Sequence, residues 1–331
     1  MADMNLIGKN IIFFCPKFFG YEIKIKSDLE SMGATVFYHS DRAGEGLLIK
    51  ILTRRYPKLV WILSDFIFTR WLNKKTIEKC DIVFIVKGEG VSPNFIKKLR
   101  LRYPDAQFIH YQWDSIANVR HSESKLKLFD HVASFDLEDC QRLSFIDYQP
   151  TFFSCEIKSV QDKLQSESLL FVGTLNGDRP RVIANIIKTI GNEIQFDYSL
   201  FVRSRLELLL RKIFDPSFKV IDEHRLVYEP ITAEEINRRM ANCGAVLDIQ
   251  NHNQSGLTLR TFDALVTGKK IITTNHAIAT HDFYDSNRIC IIDRDNPKVP
   301  DSFMTSQLNK LPDYFIKKYS LRGWLERVFK K

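Results

Sequence analysis

The chain has 331 residues and carries 48 Lys and Arg against 40 Asp and Glu, a formal net charge of +8. This length suits two domains that each bury a core of their own. The sequence contains no run of about twenty apolar residues, the length needed to span a bilayer. Residues 1–5 lack the basic start of a signal peptide. Six widely spaced cysteines are typical of buried thiols in a reducing compartment, so we expect a cytoplasmic protein without disulfides or a membrane-spanning helix.

Apolar runs alternate with amphipathic stretches through the first half of the chain. The runs typical of strands cover residues 10–15, 35–39, 81–86, 107–111 and 131–135, and the stretches typical of helices cover 21–32, 93–100 and 123–129. Strands separated by helices indicate βαβ units and a mainly parallel sheet. The polar segment 157–168 then predicts a linker between two domains.

The same alternation returns after this linker. It predicts strands over residues 169–172, 195–201, 245–249, 270–273 and 289–292, with helices over 233–242 and after Gly256. No repeat or low-complexity tract interrupts the pattern. The sequence therefore predicts an α/β protein with two Rossmann-like domains, each built on a mainly parallel sheet.

Ligands bind beyond the carboxyl ends of the strands in open α/β sheets, so the loops after strands hold the candidate site residues. Gly20 closes a turn after the first strand, where it would let an acceptor approach the backbone; an ordinary tight turn is the alternative. Glu89 stands between two glycines after the third strand, as a base, an acceptor anchor or an exposed turn charge. Trp113 follows the fourth strand and is suited to stacking on the face of a sugar.

Asp114, next to this Trp, is the first candidate for a general base, and Glu89 is the second. A base must lie within hydrogen-bond reach of the acceptor hydroxyl, and Asp, Glu and His serve most often. The alternative for Asp114 is a structural carboxylate that caps a helix starting nearby. Asp136, which ends the next strand, is better explained as the N-cap of a helix over residues 137–143.

In the second half, a loop leads from Gly173 and Thr174 to Arg179. The glycine and the threonine are placed to face a leaving diphosphate. Arg179 or Arg181 supplies positive charge, which would stabilise a leaving group that gains negative charge in a transition state. We find neither an Asp-x-Asp turn nor histidines at metal-ligand spacing, and we predict neither a metal ion nor a cofactor.

The block over residues 254–265 is the most informative part of the chain. It follows an apolar run that ends at Asp248, so the order is strand, polar loop, glycine and amphipathic helix. The loop and helix start predicted to bind the donor comprise Gln254, Ser255, Gly256, Leu257 and Thr258. Backbone N–H groups there lie at the positive end of the helix dipole, which suits a diphosphate. A helix N-terminus on an ordinary surface is the alternative.

Two side chains of the following helix complete the predicted donor site. Arg260 is placed to neutralise phosphate charge. Asp263 lies about two turns from the start of the block, where it could accept hydrogen bonds from ribose hydroxyls. Both residues are therefore predicted to bind the donor.

This block resembles the donor half of bacterial GT-B glycosyltransferases, especially the smaller enzymes of lipopolysaccharide and capsule synthesis. In those enzymes Ser-Gly-Leu-Thr-x-Arg-Thr-Phe-x-Ala-Leu precedes Gly-Lys-Lys and a strand, as residues 255–272 do here. The likeness covers most of the chain and includes the Gly173 loop and the Trp113 turn. It implies a GT-B fold with two Rossmann-like domains facing a central cleft. The implied parts are an acceptor domain over 1–156, a donor domain over 168–312 and a helical tail over 313–331 that returns towards the first domain.

The resemblance also implies an activity. A sugar would pass from a nucleotide-sugar donor to a lipid-linked or core oligosaccharide acceptor, without a metal, in bacterial surface polysaccharide synthesis. In the enzymes that this chain resembles, the region of Tyr228 lies under the nucleobase. Many retaining members carry two glutamates eight positions apart at the donor helix; here Ser255 stands eight residues before Asp263. Because that pair is absent, the chain leans slightly towards an inverting reaction.

Two other classes stay open. One is a glycosyltransferase-like subunit that binds nucleotide without turnover, and the other is a different nucleotide-sugar enzyme, such as an epimerase. A dinucleotide-dependent enzyme would need Gly-x-Gly-x-x-Gly after the first strand, and the turn at Gly20 lacks it.

The positive charge is concentrated in two regions that also carry aromatic residues. Residues 47–79 include Trp61 and Trp71, and the tail includes Trp324. Cations mixed with aromatic rings predict contact with an anionic membrane surface, at the inner face of the cytoplasmic membrane. The alternative is that these aromatics belong to the core of the first domain and to a seam between domains. No helix-turn-helix, zinc ligand set or RNP-like strand predicts a nucleic-acid partner.

Overall fold

The computed structural model describes residues 4–155, 167–190, 194–252, 254–308 and 310–330. The chain divides into two compact units. Unit 1 comprises Met1–Pro150 and Ser320–Lys331, and unit 2 comprises Thr151–Tyr319. Nearly all of the linker predicted over residues 157–168 lies outside the described residues.

Unit 1 alternates strands and helices along the chain. Its strands are β1 (Asn10–Phe14), β2 (Thr35–His39), β3 (Ile82–Val86), β4 (Gln107–Gln112), β5 (His131–Ser134) and β6 (Asp147–Tyr148). Its helices are α1 (Tyr21–Ser31), α2 (Leu47–Arg55), α3 (Pro57–Lys75), α4 (Pro93–Arg102), α5 (Glu123–Leu126) and α6 (Leu137–Arg142), with α13 (Leu321–Val328) from the end of the chain.

The six strands of unit 1 form one parallel sheet in the order β2-β1-β3-β4-β5-β6. Strand β1 therefore lies between β2 and β3, and the sheet grows in opposite directions on its two sides. Ligands bind at such a switch point in doubly wound sheets. The loops after β1 and β3, which carry Gly20 and Glu89, flank it.

Apolar side chains cover the sheet of unit 1, and the C-terminal helix α13 supplies some of them. All five residues of β3 are buried, which is typical of a parallel strand covered on both faces. Trp324 of α13 is fully buried, and its ring centroid lies 4.7 Å from that of Tyr111 and 6.2 Å from that of Phe84. The prediction that Trp324 inserts into a membrane is therefore wrong, because this side chain is part of the core.

Unit 2 follows the same alternation. Its strands are β7 (Ser168–Thr174), β8 (Gln195–Phe201), β9 (Leu226–Val227), β10 (Ala245–Asp248), β11 (Lys270–Thr273) and β12 (Ile289–Ile291). Its helices are α7 (Arg179–Thr189), α8 (Arg205–Phe214), α9 (Ala233–Ala241), α10 (Leu259–Val266), α11 (Asp301–Thr305) and α12 (Asp313–Tyr319).

The parallel sheet of unit 2 has the order β9-β8-β7-β10-β11-β12. Counted from β7, this is the 3-2-1-4-5-6 order of dinucleotide-binding Rossmann domains. The switch point lies between β7 and β10, so the loops that carry Thr174 and Gln254 border the expected crevice. The predicted class, an α/β fold with two Rossmann-like domains, is confirmed.

Two further predictions were tested by the structure. All six cysteines are free; Cys15, Cys80 and Cys243 are buried, whereas the other three are only partly buried. The expectation of buried thiols thus holds for half of them. In the described ranges, no helix is both long and apolar enough to cross a membrane.

Candidate functional site

Arg179 joins the two loops that border the switch point of unit 2. Its Nε donates to the carbonyl oxygen of Ile249, after β10, at 3.0 Å, and its Nη1 donates to the carbonyl oxygen of Thr174, at the end of β7, at 3.3 Å. Burial, together with the nearby charge of Arg260, lowers the pKa of Arg179 to about 10. A guanidinium that is partly buried, fixed by two carbonyl oxygens and placed beside a second cation favours the binding of an anion.

Four arginines that follow different strands lie at this edge of the sheet. The charges of Arg260, Arg294 and Arg203 all depress the pKa of Arg179. These residues follow β7, β8, β10 and β12, so the sheet alone brings them together; we call Arg179, Arg203, Arg260 and Arg294 the arginine cluster. Two carboxylates, Asp178 and Asp248, lie against it and leave a positive balance.

Asp178 orients one member of the cluster. Its carboxylate oxygens accept hydrogen bonds from Nη2 and Nε of Arg294, at 3.0 and 3.1 Å, and from Nε2 of His252 at 2.7 Å. Burial alone would raise the pKa of Asp178, but the hydrogen bonds and charge of Arg294 lower it, with His252 adding to the effect. Asp178 therefore stays ionised and fixes the direction of both partners.

The loop before α10 is fixed by side chains from neighbouring strands. Nδ2 of Asn275 donates to the carbonyl oxygens of Ser255, at 2.9 Å, and Gly256, at 3.5 Å. Thr258 is the N-cap of α10. The Leu257 side chain is buried in the core of unit 2, so its predicted role in donor binding rests on its backbone.

The buried carboxylate of Asp248 ties this loop to its strand. Its Oδ2 accepts from the hydroxyls of Thr258, at 3.1 Å, and Thr261, at 2.7 Å. The first turn of α10 is thereby joined to the end of β10. Gln254, which lies partly buried between the two, belongs to the same short segment.

The carboxylate of Asp263 binds the segment at the start of unit 2. Its Oδ1 accepts from the backbone N–H groups of Ser154, at 2.6 Å, and Cys155, at 3.0 Å, and its Oδ2 accepts from the Ser154 hydroxyl at 3.0 Å. With three protein donors already bound, the carboxylate holds the start of unit 2 in place. Asp263 therefore has a structural role, and its donor contact stays a prediction.

Gly173 lies inside β7, and Tyr228 directly follows β9. A Cβ on Gly173 would lie 2.6 Å from Cζ of Phe171, so this glycine makes room for a ring that lies 6.0 Å from the Arg260 guanidinium. Tyr228 is exposed after β9, at the edge of the sheet, and carries Arg205 over its ring at 5.2 Å. Two strands separate the edge strand β9 from the switch point.

Glu89 lies in the loop after β3 of unit 1, and residues outside this loop bind both its backbone and its side chain. Its N–H donates to Oδ2 of Asp41 at 3.0 Å, and its carbonyl accepts from Nε1 of Trp61 at 3.2 Å. Its carboxylate pairs with Nη2 of Arg42 at 2.8 Å. Because the side chain is buried, the interpretation of Glu89 as an exposed turn charge is wrong.

Asp114 lies close to this loop. Its Oδ2 is 3.1 Å from Nζ of Lys87, and its Oδ1 accepts from Nδ2 of Asn118 at 3.0 Å. It does not cap the short turn Ile116–Asn118, whose first N–H donates to Asp139 instead. The capping alternative is thus wrong, and Asp114 is a partly exposed carboxylate oriented by two side chains. Asp136 does cap the helix that follows it, as predicted.

A buried lysine donates hydrogen bonds to the backbone of the loop that contains Glu89. Nζ of Lys125 donates to the carbonyl oxygens of Gly88 and, at 3.2 Å, Val91. Burial lowers the pKa of Lys125 to about 8. Lys87 and Gly88 both have positive φ, 60° and 61°, so these hydrogen bonds hold a backbone that few residues adopt.

Gly20 and Trp113 come from two loops at the same edge. Gly20 has φ 77° at the start of α1, a left-handed conformation that favours glycine. The ring centroid of Trp113 lies 5.8 Å from that of Tyr21, the first residue of α1. The structure therefore brings together Gly20, Trp113, Asp114 and Glu89 within unit 1.

Several residues of these sites were missed in the sequence. Arg203 and Arg294 stand two and three residues after β8 and β12, so the rule that ligands meet the carboxyl ends of strands would have found them. Asp41 and Lys125 carry no such signal, because their burial depends on distant segments. In the part of the chain that the structure describes, no three His, Cys, Asp or Glu side chains cluster as metal ligands would.

The two six-stranded sheets and their loops define a protein of the GT-B fold. Similar solved structures include the lipopolysaccharide outer core galactosyltransferase WaaB in its apo form, with a TM-score of 0.54 and 15% identity over 96% of this chain and 98% of that one. Anabaena Alr3699/HepE in complex with UDP and glucose gives 0.58 and 9% over 97% and 98%. S. aureus MnaA with UDP gives 0.52 and 10% over 97% and 94%.

At these identities the likeness concerns the fold. No family model matches the sequence. No curated protein matches it either.

The buried lysine gives a prediction on stability. The folded pKa of Lys125, about 8, lies below the value of about 10.4 expected in the unfolded chain. Folding therefore releases a proton between these values, and stability rises as the pH passes upward through them. We compare the wild type with Lys125→Met, which has no charge at this position. The free energy of unfolding of the wild type minus that of the variant should increase by about 2 kcal/mol between about pH 7.5 and pH 9.5.

Urea denaturation of both proteins at the two pH values measures this gain. Other groups titrate in both proteins and cancel in the difference. A difference that stays constant with pH would show that burial does not depress the pKa of Lys125.

Proposed function

We propose that this protein is a glycosyltransferase that moves a sugar from a nucleotide-sugar donor to a glycan or glycolipid acceptor in bacterial surface polysaccharide synthesis. The observation that carries the proposal is the arginine cluster at the switch point of a Rossmann sheet. Similar folds solved with UDP and with UDP and glucose support it.

In this proposal, unit 2 holds the donor by its diphosphate. Arg260 and Arg179 neutralise the phosphates, while the loop from Ser255 to Thr258 supplies backbone N–H groups at the start of α10. The leaving nucleoside diphosphate gains negative charge as the glycosidic bond breaks, and fixed guanidiniums stabilise that charge more in the transition state than in the ground state. The same cations make the reaction metal-independent.

Unit 1 supplies the acceptor chemistry. Asp114 is the proposed base, because it is partly exposed and oriented by Lys87 and Asn118. Glu89 is less suited, since its buried carboxylate is paired with Arg42. Asp114 would take the proton of the acceptor hydroxyl while the oxygen of that hydroxyl attacks the anomeric carbon. The nucleoside diphosphate leaves from the opposite side, which inverts the anomeric configuration.

A membrane contact of unit 1 completes the proposal, on different residues from those predicted. The two tryptophans of α3 contact other parts of unit 1: Trp61 donates to the Glu89 carbonyl, and the Trp71 ring lies 5.7 Å from that of Phe14. The exposed face of α3 is instead mainly aliphatic, with Ile62 76% and Phe66 65% exposed. Its exposed apolar residues are Leu59, Ile62, Leu63 and Phe66.

These four positions share one face of the helix, since they are spaced by three and four residues. Arg70 and Lys74 continue the same face one turn further and are exposed. An apolar stripe followed by cations suits the surface of an anionic bilayer, where the side chains enter the headgroup boundary and the cations meet the lipid phosphates. A lipid-linked acceptor would be found at that surface.

The donor site predicts the behaviour of Arg260→Ala. Loss of a charge-assisted phosphate contact should weaken binding of UDP, or of whichever nucleoside diphosphate binds best, by roughly tenfold or more. Isothermal calorimetry measures the change, and circular dichroism checks the fold. Arg238→Ala is the matched control, because that arginine is exposed on α9 and pairs with Glu235. Equal affinities for wild type and Arg260→Ala would remove Arg260 from the site.

The acceptor chemistry predicts that Asp114→Asn loses turnover and keeps donor binding. The amide preserves the shape of the side chain but cannot take a proton, so transfer should fall by roughly two orders of magnitude or more. The assay follows label from a nucleotide-sugar into the lipid and glycan fraction of a bacterial extract. Asp105→Asn, at an exposed turn of the same unit, is the control. Near-normal transfer by Asp114→Asn would move the base to Glu89.

The exposed face of α3 predicts binding to anionic vesicles. Replacing Ile62 and Phe66 by serine should lower the bound fraction by roughly tenfold or more, because each apolar side chain contributes when it leaves water. Flotation with anionic and neutral vesicles at low and high salt measures this, and Leu101→Ser, an exposed site on α4, is the control. Equal and negligible binding of wild type to both vesicles would refute the membrane contact.

A further inference from the structure

Two phenylalanines stand exposed in the loop between β1 and α1. Phe18 is 50% and Phe19 55% exposed, and their ring centroids lie 4.6 Å apart in an edge-to-face pair. Phe19 has φ 52°, a left-handed conformation that bulky side chains rarely adopt. The loop therefore presents two rings to solvent in a backbone conformation that disfavours a bulky residue.

These rings begin a row that leads towards Asp114. The centroid of Tyr21 lies 6.1 Å from that of Phe18 and 5.8 Å from that of Trp113. Trp113 is the residue before Asp114. We call Phe18, Phe19, Tyr21 and Trp113 the aromatic ridge.

The inner end of the ridge is anchored in the core of unit 1. The Trp113 centroid lies 6.4 Å from that of Tyr111 and 6.5 Å from that of Trp324, both of which are buried. Its outer end, at Phe18 and Phe19, is free of the core. The ridge thus runs from a fixed ring beside Asp114 to solvent-exposed rings, along the edge of the sheet where ligands bind.

We propose that the aromatic ridge is a binding site for the saccharide part of the acceptor. A pyranose ring has a face of C–H groups that loses water when it stacks on an aromatic face, while its hydroxyls stay available for polar contacts. A sugar chain lying along the ridge would bring one hydroxyl to Trp113 and hence to Asp114. This inference rests on the proposed function, in which Asp114 is the base.

A saccharide fits the ridge better than a lipid surface does. The rings continue inward to a half-buried Trp beside a carboxylate, whereas a segment that enters a bilayer ends in apolar side chains at the surface. The exposed stripe of α3 has that second form, with aliphatic side chains along one face. The ridge has the form of a polar ligand's stacking surface.

Saccharide binding can be measured without donor or turnover. The probes are methyl β-glucopyranoside, methyl β-galactopyranoside, lactose and chitobiose, observed by saturation-transfer NMR with the full chain. We expect at least one probe to receive saturation on the C–H protons of one face. Phe18→Ala and Phe19→Gly should each raise the apparent Kd of that probe by roughly tenfold.

The variants keep the fold testable. Glycine suits the backbone at position 19, so Phe19→Gly should not lower the midpoint of thermal unfolding. Phe145→Ala is the matched control, because Phe145 is also an exposed ring of unit 1, in a different loop. Its Kd for the same probe should equal that of the wild type.

The outcomes separate this inference from the proposed function. UDP binding that persists while no probe receives saturation, or while Phe18→Ala and Phe19→Gly leave the Kd unchanged, overturns the saccharide site and spares the donor site. Probe binding that depends on both rings, in a protein that binds no nucleoside diphosphate, upholds the ridge and refutes the proposed activity. If Phe18→Ala and Phe19→Gly lose binding to anionic vesicles but keep the wild-type Kd for the probe, the rings contact a membrane and not a saccharide.

Discussion

The repulsion among guanidiniums at the switch point of unit 2 is the interaction on which the functional account depends. Arg179 is held there by two carbonyl oxygens, beside Arg260, and is partly buried. Like charges in a site of low polarity destabilise one another. An anion with several oxygens offsets this repulsion. The arrangement of the arginines therefore favours a phosphate-bearing ligand.

Unit 1 shows a different use of buried charge. The neighbouring residues Asp41 and Arg42 bind the backbone N–H and the carboxylate of Glu89, and Lys125, from a distant segment, binds the carbonyl oxygen of Gly88. The same loop begins with Lys87, which orients Asp114. Buried polar groups of this kind are costly unless paired, and they therefore define one conformation of the loop. The Asp114 carboxylate is thus positioned by contacts that begin well inside the unit.

The sequence predicted most strands, the two Rossmann-like sheets and the loop around Gly256, because apolar periodicity and helix-start signals are local. It misjudged features set by distant contacts. Helix geometry placed Asp263 near the anion site, yet Ser154, 109 positions away, takes its carboxylate. The basic and aromatic composition of the tail predicted a membrane contact for Trp324, which is instead a core residue. Helix α8 was not predicted, because most of its apolar residues are exposed; Leu208 reaches the core, whereas Leu206, Leu209, Leu210, Ile213 and Phe214 are exposed.

The central claim is that unit 2 binds a nucleoside diphosphate through its arginine cluster. A thermal-shift screen of nucleoside mono- and diphosphates tests it most directly, because a ligand that binds only the folded state raises the unfolding temperature as its concentration exceeds its Kd. We predict a saturable rise with at least one diphosphate, a smaller rise with its monophosphate, and loss of both in an Arg179→Met, Arg260→Ala double variant. No shift with any diphosphate, or an equal shift in the double variant, would contradict the account.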